Sequence, residues 1–172
     1  WVGRATYFDN RYRDQVAYRS TSFGGPDGLP DFLNIDGSKA TGLELEAGLQ
    51  RPVGGLTAGA TYALVDTEVV TSVSSSAQFQ PGQPLLRRPK HSGTLHVAWT
   101  RGRGKVLFDL RRVGNRHDSA FLFMSALDFT PVDITVNRGY TLLGLGGEVR
   151  LRDGVRVFVR LENLTGAVYE SA

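Results

Sequence analysis

Three histidines, His91, His96 and His117, are the residues best suited to acid–base or metal chemistry in this chain. His91 and His96 lie five positions apart. On an extended strand they therefore point to opposite faces and cannot share an ion. His117-Asp118-Ser119 sets imidazole, carboxylate and hydroxyl side by side. Neighbours on an extended chain do not converge, however, and no G-x-S-x-G elbow accompanies them. The histidines read as surface or wall-lining residues, and no catalytic residue, metal ligand or cofactor is assigned. Gly144-Leu145-Gly146-Gly147 follows a strand pattern without a helix after it, so it fails as a dinucleotide fingerprint. Glycine there relieves crowding or permits bending. Arg87 and Arg88, with Lys90, form the densest basic group. They would either attract an anionic small molecule or pair with a carboxylate nearby. Phe121, Phe123 and Met124 make an apolar patch in a connecting segment, where they contact a ligand or pack on neighbouring loops.

The elements that must position these residues are strands. The last stretch, Val155 to Tyr169, shows the pattern most clearly. Val155, Val157, Val159 and Leu161 alternate with Arg156, Phe158, Arg160 and Glu162, the period of a strand with two unlike faces. Six further alternating segments precede it. The first runs over 1–18, with an interruption near Arg13 to Val16 that reads as a bulge. The second runs over 32–50, with Leu43, Leu45, Ala47 and Leu49 on one face and Glu44 and Glu46 on the other. The third carries Leu56, Ala58, Ala60, Tyr62 and Leu64, then fades into a polar stretch. The remaining three span 85–100, 105–116 and 133–152. No segment has a helical period.

Composition bounds the rest. The chain has 172 residues, no cysteine and a net charge of +3 with both signs interspersed. Disulfides and thiolate metal sites are excluded, and no basic stripe suits nucleic acid. No stretch approaches the ~18 apolar residues of a membrane helix. A membrane β-strand needs only about 10 alternating residues, so this says nothing against a barrel. Residue 1 already stands inside a strand pattern, with no initiator methionine and no signal peptide, so the chain reads as a piece of a longer one.

Long connections (19–32, 71–84 and 118–131) alternate with tight turns at 51–55, 101–104 and 152–154. Short turns on one rim and long loops on the other belong to an outer-membrane barrel. The strands also exceed the ~5–6 residues usual in soluble sheets. A soluble sandwich would bury its apolar faces against each other. In a barrel the apolar face meets lipid and the charged face lines a lumen. The apolar face is expected to carry Trp99, Tyr62 and Phe8 near strand ends. The lumen face is expected to carry Glu44, Glu46, Asp109, Arg111, Glu148, Arg150, Arg156, Arg160 and Glu162, in ion-pair ladders. Seven strands are too few to close around so many long side chains, so the chain is expected to form an arc with two open edges.

Six motifs then match a family in order. They are Tyr7-Phe8 with Arg13-Asp14-Gln15-Val16, Ala40-Thr41-Gly42-Leu43-Glu44, Leu86-Arg87-Arg88-Pro89-Lys90-His91, Val113-Gly114-Asn115-Arg116-His117-Asp118, Gly139-Tyr140-Thr141-Leu142-Leu143, and Glu162-Asn163-Leu164 followed by Tyr169-Glu170. Together they resemble the C-terminal part of the barrel of TonB-dependent outer-membrane receptors, and the resemblance covers essentially the whole chain. Gly144 and Gly166 stand where the family often has Asp.

The resemblance implies an all-β, antiparallel up-and-down meander of about seven long strands, an arc of a barrel of about 22 strands around a plug. This chain would supply about strands 15 to 21. The plug, the early strands, the last strand and the TonB-binding segment would lie elsewhere in the same protein. The implied role is uptake across the bacterial outer membrane of a scarce ligand such as a ferric siderophore, haem or cobalamin. The implied partners are outer-membrane lipid, the TonB complex and a small metal chelate. A passive porin-type barrel without a plug is the alternative. The residues that the resemblance marks are Gly42, Glu44, Arg88, Pro89, Gly114, Arg116, Asp118, Tyr140, Asn163, Leu164 and Tyr169.

Overall fold

A computed structural model of the chain describes residues 1–18, 32–49, 53–72, 79–119 and 134–169. They form nine strands: β1 (Val2–Tyr18), β2 (Phe32–Gly48), β3 (Leu56–Thr71), β4 (His91–Arg101), β5 (Gly104–Val113), β6 (Arg116–Ser119), β7 (Ile134–Asn137), β8 (Tyr140–Arg152) and β9 (Val155–Leu161). Seven of them make one antiparallel sheet in the order β1-β2-β3-β4-β5-β8-β9, with β1 and β9 at its edges. β6 and β7 form a separate two-stranded ribbon. No α-helix occurs among the described residues.

The meander and the alternation are as expected, and several limits move. β3 runs to Thr71, where the long polar connection was expected to begin. β4 begins at His91 rather than at residue 85, because Arg87 adopts a positive φ of 61° and turns the chain just before the ladder starts. The expected fifth and sixth strands are each broken. β5 stops at Val113 and β8 starts at Tyr140, and the chain beyond them leaves the wall as the β6/β7 ribbon. β9 ends at Leu161, and residues 162–169 form turns. In β1 the register is not shifted where a bulge was expected. Arg13 pairs Gly37 and Gln15 pairs Ile35, with Asp14 at a φ of 55° between them. Register does shift at the end of β8, between Arg150 and Arg152.

The hairpins are built by turn chemistry. Val53 and Leu56 exchange backbone hydrogen bonds of 3.1 and 2.9 Å around Gly54 and Gly55, whose φ values are 58° and 83°. Two successive left-handed residues define the type I′ turn, whose twist matches that of the strands it joins. A side chain at Gly55 would also collide with the Thr100 carbonyl oxygen.

Pairing in register carries the alternation across all seven strands, since directly opposed residues share a face. One face holds Leu45–Tyr62, Ala58–Val97, Leu56–Trp99, Val97–Phe108, Leu110–Leu143 and Val149–Val157. The other holds Arg4–Glu46, Thr61–Thr94, His96–Asp109, Thr94–Arg111, Lys105–Glu148 and Arg150–Arg156. Phe8 departs from expectation. It pairs with Gly42 on the polar face, and Tyr7 takes the apolar side beside Leu43. Its parity with Arg4 and Thr6 puts it there, and the absent side chain opposite makes room: a Cβ at Gly42 would lie 2.5 Å from Phe8 Cζ. The ring therefore lies over the glycine and fills the space a side chain would take, as aromatic residues do beside strand glycines.

Candidate functional site

The apolar face has a measurable height. On β3 it runs from Leu56 to Leu64 and ends where Asp66 takes the next position on the same side. Eight rises of ~3.4 Å give about 27 Å along the strand. A tilt of about 40° reduces this to about 20 Å along the barrel axis, close to the ~25 Å lipid-facing band of outer-membrane barrels. The boundary is the same on neighbouring strands. Asp9 and Thr41 are opposed on β1 and β2, Thr41 and Asp66 on β2 and β3, and Arg112 and Thr141 on β5 and β8. Ion pairs lie along this boundary: Lys39 Nζ to Asp9 (3.7 Å), Arg11 Nε to Asp9 (3.6 Å) and Lys90 Nζ to Asp66 (3.3 Å). At the other margin Trp99 donates its indole N–H to the Gly54 carbonyl (3.2 Å). An amphipathic ring at a membrane–water interface keeps its body in hydrocarbon and its N–H satisfied.

The polar face frames a cavity of about 780 Å³. Four arginines (Arg4, Arg87, Arg111 and Arg116) and two glutamates (Glu44 and Glu46) line it; Arg112 also borders it, but its guanidinium donates to Thr141 Oγ1 on the apolar-face side. Ion pairs hold parts of this face, Arg4 with Glu46 (4.0 Å), Arg156 with Glu148 (3.5 Å) and Arg160 with Glu162 (2.8 Å), and a hydrogen bond joins His96 Nδ1 to Asp109 Oδ1. All are largely exposed, so each contributes little to stability and mostly orients its side chains.

Motifs far apart in sequence meet at one end of this cavity. Arg87 Nε donates to Asp118 Oδ1 (3.0 Å), and the Arg87 backbone N–H donates to the His117 carbonyl (2.7 Å). Asp118 also accepts from Asn137 Nδ2 (3.1 Å). The arginine expected either to meet a ligand or to pair with a carboxylate is thus engaged by a carboxylate, while Arg88 is exposed. Gly114 donates to the His91 carbonyl (2.7 Å) and approaches it so closely that a Cβ would stand 2.9 Å from that oxygen. Asn115 Oδ1 accepts from the Gly139 N–H (2.7 Å). These contacts tie both strands of the ribbon to the top of the wall and leave Arg116 buried in the cavity lining, only 6% exposed.

The closing motif has its own geometry. Asn163 sits at a φ of 52°, and its side chain bridges the turn. Nδ2 donates to the Ala167 carbonyl and Oδ1 accepts from the Ala167 N–H, both at 3.0 Å. Asn tolerates the left-handed region and bonds its own backbone there. Leu164 N donates to the Leu143 carbonyl (2.9 Å), which folds the segment back on β8. Tyr169 then lies on Tyr140, ring centroids 4.4 Å apart, at the cavity edge.

His91 and His96 fall on opposite faces, His91 opposite Leu64 and His96 opposite Asp109. Among the described residues no group of three or more His, Asp or Glu is placed to hold a metal. Phe121, Phe123 and Met124 lie outside the described residues. Sequence reasoning missed the positioning roles of Asn115 and Asn137. A signal did exist: Asn115 stands inside the Val113–Asp118 motif and Asn137 two positions before the Gly139–Leu143 motif, where the wall strands break.

The family model for the β-barrel of TonB-dependent receptor-like proteins matches residues 1–164. The chain belongs to this family. The family is one of bacterial outer-membrane receptors and not a family of enzymes. The chain also matches solved structures over 97% of its length. It is similar to the ferric-catecholate import receptor Fiu from E. coli K12, with 16% identity, 21% of that chain covered and a TM-score of 0.69. It is also similar to the FrpB iron transporter from Neisseria meningitidis (F5-1 variant), with 17% identity, 25% of that chain covered and a TM-score of 0.65. At these identities the likeness is one of fold. The chain spans about a fifth to a quarter of the length of these two proteins. A comparison with curated proteins finds no match.

Proposed function

We propose that this receptor-barrel chain is a wall segment of a TonB-dependent transporter that imports an anionic ferric chelate, of the siderophore class, across the outer membrane. In this reading the chain corresponds to about strands 15 to 21 of a barrel of about 22 strands. A plug and a TonB-binding segment are supplied by the rest of the protein. The long connections face outward and the tight turns face the periplasm. The observation that carries the ligand class is the group of arginines on the polar face of the cavity, Arg4, Arg87, Arg111 and Arg116, against the carboxylates Glu44, Glu46 and Asp118. A lining that carries more of one sign of charge concentrates ligands of the other sign. The two structural relatives, a ferric-catecholate import receptor and an iron transporter, support the same class.

The test is uptake of radioactive iron by cells expressing the full parent receptor. Uptake of a ferric catecholate that disappears when TonB is deleted supports the proposal. Uptake that persists without TonB would make the protein a passive pore. Import of haem or cobalamin, with no iron chelate transported, would move the ligand class.

A further inference from the structure

The lipid-facing wall is not smooth. Near the tight-turn rim, a groove of about 400 Å³ runs over Gly147 between Val106 and Val159. Its lining on the apolar face is Trp99, Val106, Val149, Val157 and Val159. The space exists because Gly147 stands in a row of β-branched residues. It is not required by the backbone: a Cβ there would meet only Val159 Cγ1, at an ordinary 3.7 Å, and the glycine has no positive φ. The wall would accept a larger residue at this position, yet a cleft is kept open.

Charge marks one end of this cleft. Arg101 borders it and closes β4 opposite Gly104, two positions beyond Trp99 on the same face. Arg103 follows in the turn and donates to the Leu151 carbonyl (3.3 Å), which fixes it beside the end of β8. Arg152 pairs with Val155, at the apolar-face end of the next hairpin. Against these three cations the two turns offer one carboxylate, Asp153. Glu148 also borders the groove, but Arg156 holds it from the opposite face at 3.5 Å. An apolar trough of roughly one acyl chain therefore ends in three exposed arginines with one carboxylate in the turns beside them, at the depth where Trp99 marks the interface.

The geometry points to a binding site for one anionic glycerophospholipid, its acyl chain over Gly147 and its phosphate on Arg101. The argument rests on the outer-membrane reading of the apolar face, and the leaflet at the tight turns rests on the orientation proposed above. Guanidinium groups match phosphate through paired N–H donors, and a half-desolvated interface strengthens that attraction relative to water.

The experiment is native mass spectrometry of the full parent receptor, delipidated in detergent and titrated with phosphatidylglycerol. One adduct should saturate first, and phosphatidylcholine should bind less tightly. Gly147→Leu fills the trough and Arg101→Glu reverses the anchor, and each should weaken that first adduct about tenfold. Heat-modifiable gel mobility reports that both variants are folded. Unchanged binding in both variants overturns the site. Loss in Gly147→Leu with none in Arg101→Glu overturns the phosphate contact and with it the phospholipid. The reading is independent of iron uptake, so failure of the transport proposal leaves the lipid result interpretable, and the reverse.

Discussion

Tyr140 and Tyr169 stack with ring centroids 4.4 Å apart and planes inclined by 23°, which joins the start of β8 to the segment that follows β9. Two motifs separated by a whole hairpin are thus one physical unit. An aromatic pair contributes about 0.5–1.5 kcal/mol beyond its area burial. Tyr169→Ala should lower the thermal midpoint of the intact receptor, and Tyr169→Phe should leave it close to wild type because the stack needs the ring and not the hydroxyl. Equal midpoints for the alanine variant and wild type would contradict the stack.

Gly42 should not tolerate a methyl group. Its Cβ would collide with the Leu64 carbonyl oxygen and crowd the Phe8 ring. Gly42→Ala is expected to cost about 1–3 kcal/mol, the usual range for overpacking. Adding Phe8→Ala should recover only part of it, because the carbonyl belongs to a ladder and cannot move aside. Denaturant titration of the single and double variants reads this directly, and full recovery in the double variant would place the whole conflict on the ring.

Asn163 carries a backbone requirement and a side-chain requirement that separate by substitution. Asn163→Gly keeps the φ of 52° and loses the two bonds to Ala167. Asn163→Ala loses the bonds and adds left-handed strain of about 1–2 kcal/mol. Alanine should therefore be the more damaging replacement, measured as refolding yield into lipid vesicles. A glycine variant as impaired as alanine would mean that the hydrogen bonds alone matter.

Adjacent residues of β4 should respond oppositely to charge. Leu95 lies mid-strand on the apolar face and Thr94 on the polar face. Leu95→Arg should cost about 2–4 kcal/mol in a bilayer, the range for the lipid-facing midplane. Thr94→Arg should cost little, since water or other lumen groups solvate it. Unfolding from vesicles in urea compares them, and similar costs for the two would remove the assignment of faces.

The two-faced wall was legible in the sequence because alternation is local and register only propagates it. Val155 to Leu161 announced their faces without any partner. Phe8 shares the parity of Arg4 and Thr6 and so belongs to their face; it is misread when an aromatic near a strand end is taken by default as membrane-facing. The site was half legible. The motif residues Gly114, Arg116, Asp118, Tyr140 and Tyr169 were each visible. Their convergence depends on β5 and β8 breaking at Val113 and Tyr140, and both patterns continue to alternate through the break. The positive φ of Arg87, which aims its backbone N–H at His117, leaves no mark in a sequence because arginine is not a residue that favours that conformation.

The β6/β7 ribbon shares no strand ladder with the wall and is joined to it through Gly114, Asn115, Gly139 and the Arg87 contacts. Ladder register in the wall is therefore counted separately from register in the ribbon. Insertions or deletions between 119 and 134 alter that connection without sliding a single residue of β5 or β8 from the apolar face to the polar face. Its length is mechanically decoupled from the wall, so the connection can vary while the same two-faced sheet is inherited unchanged.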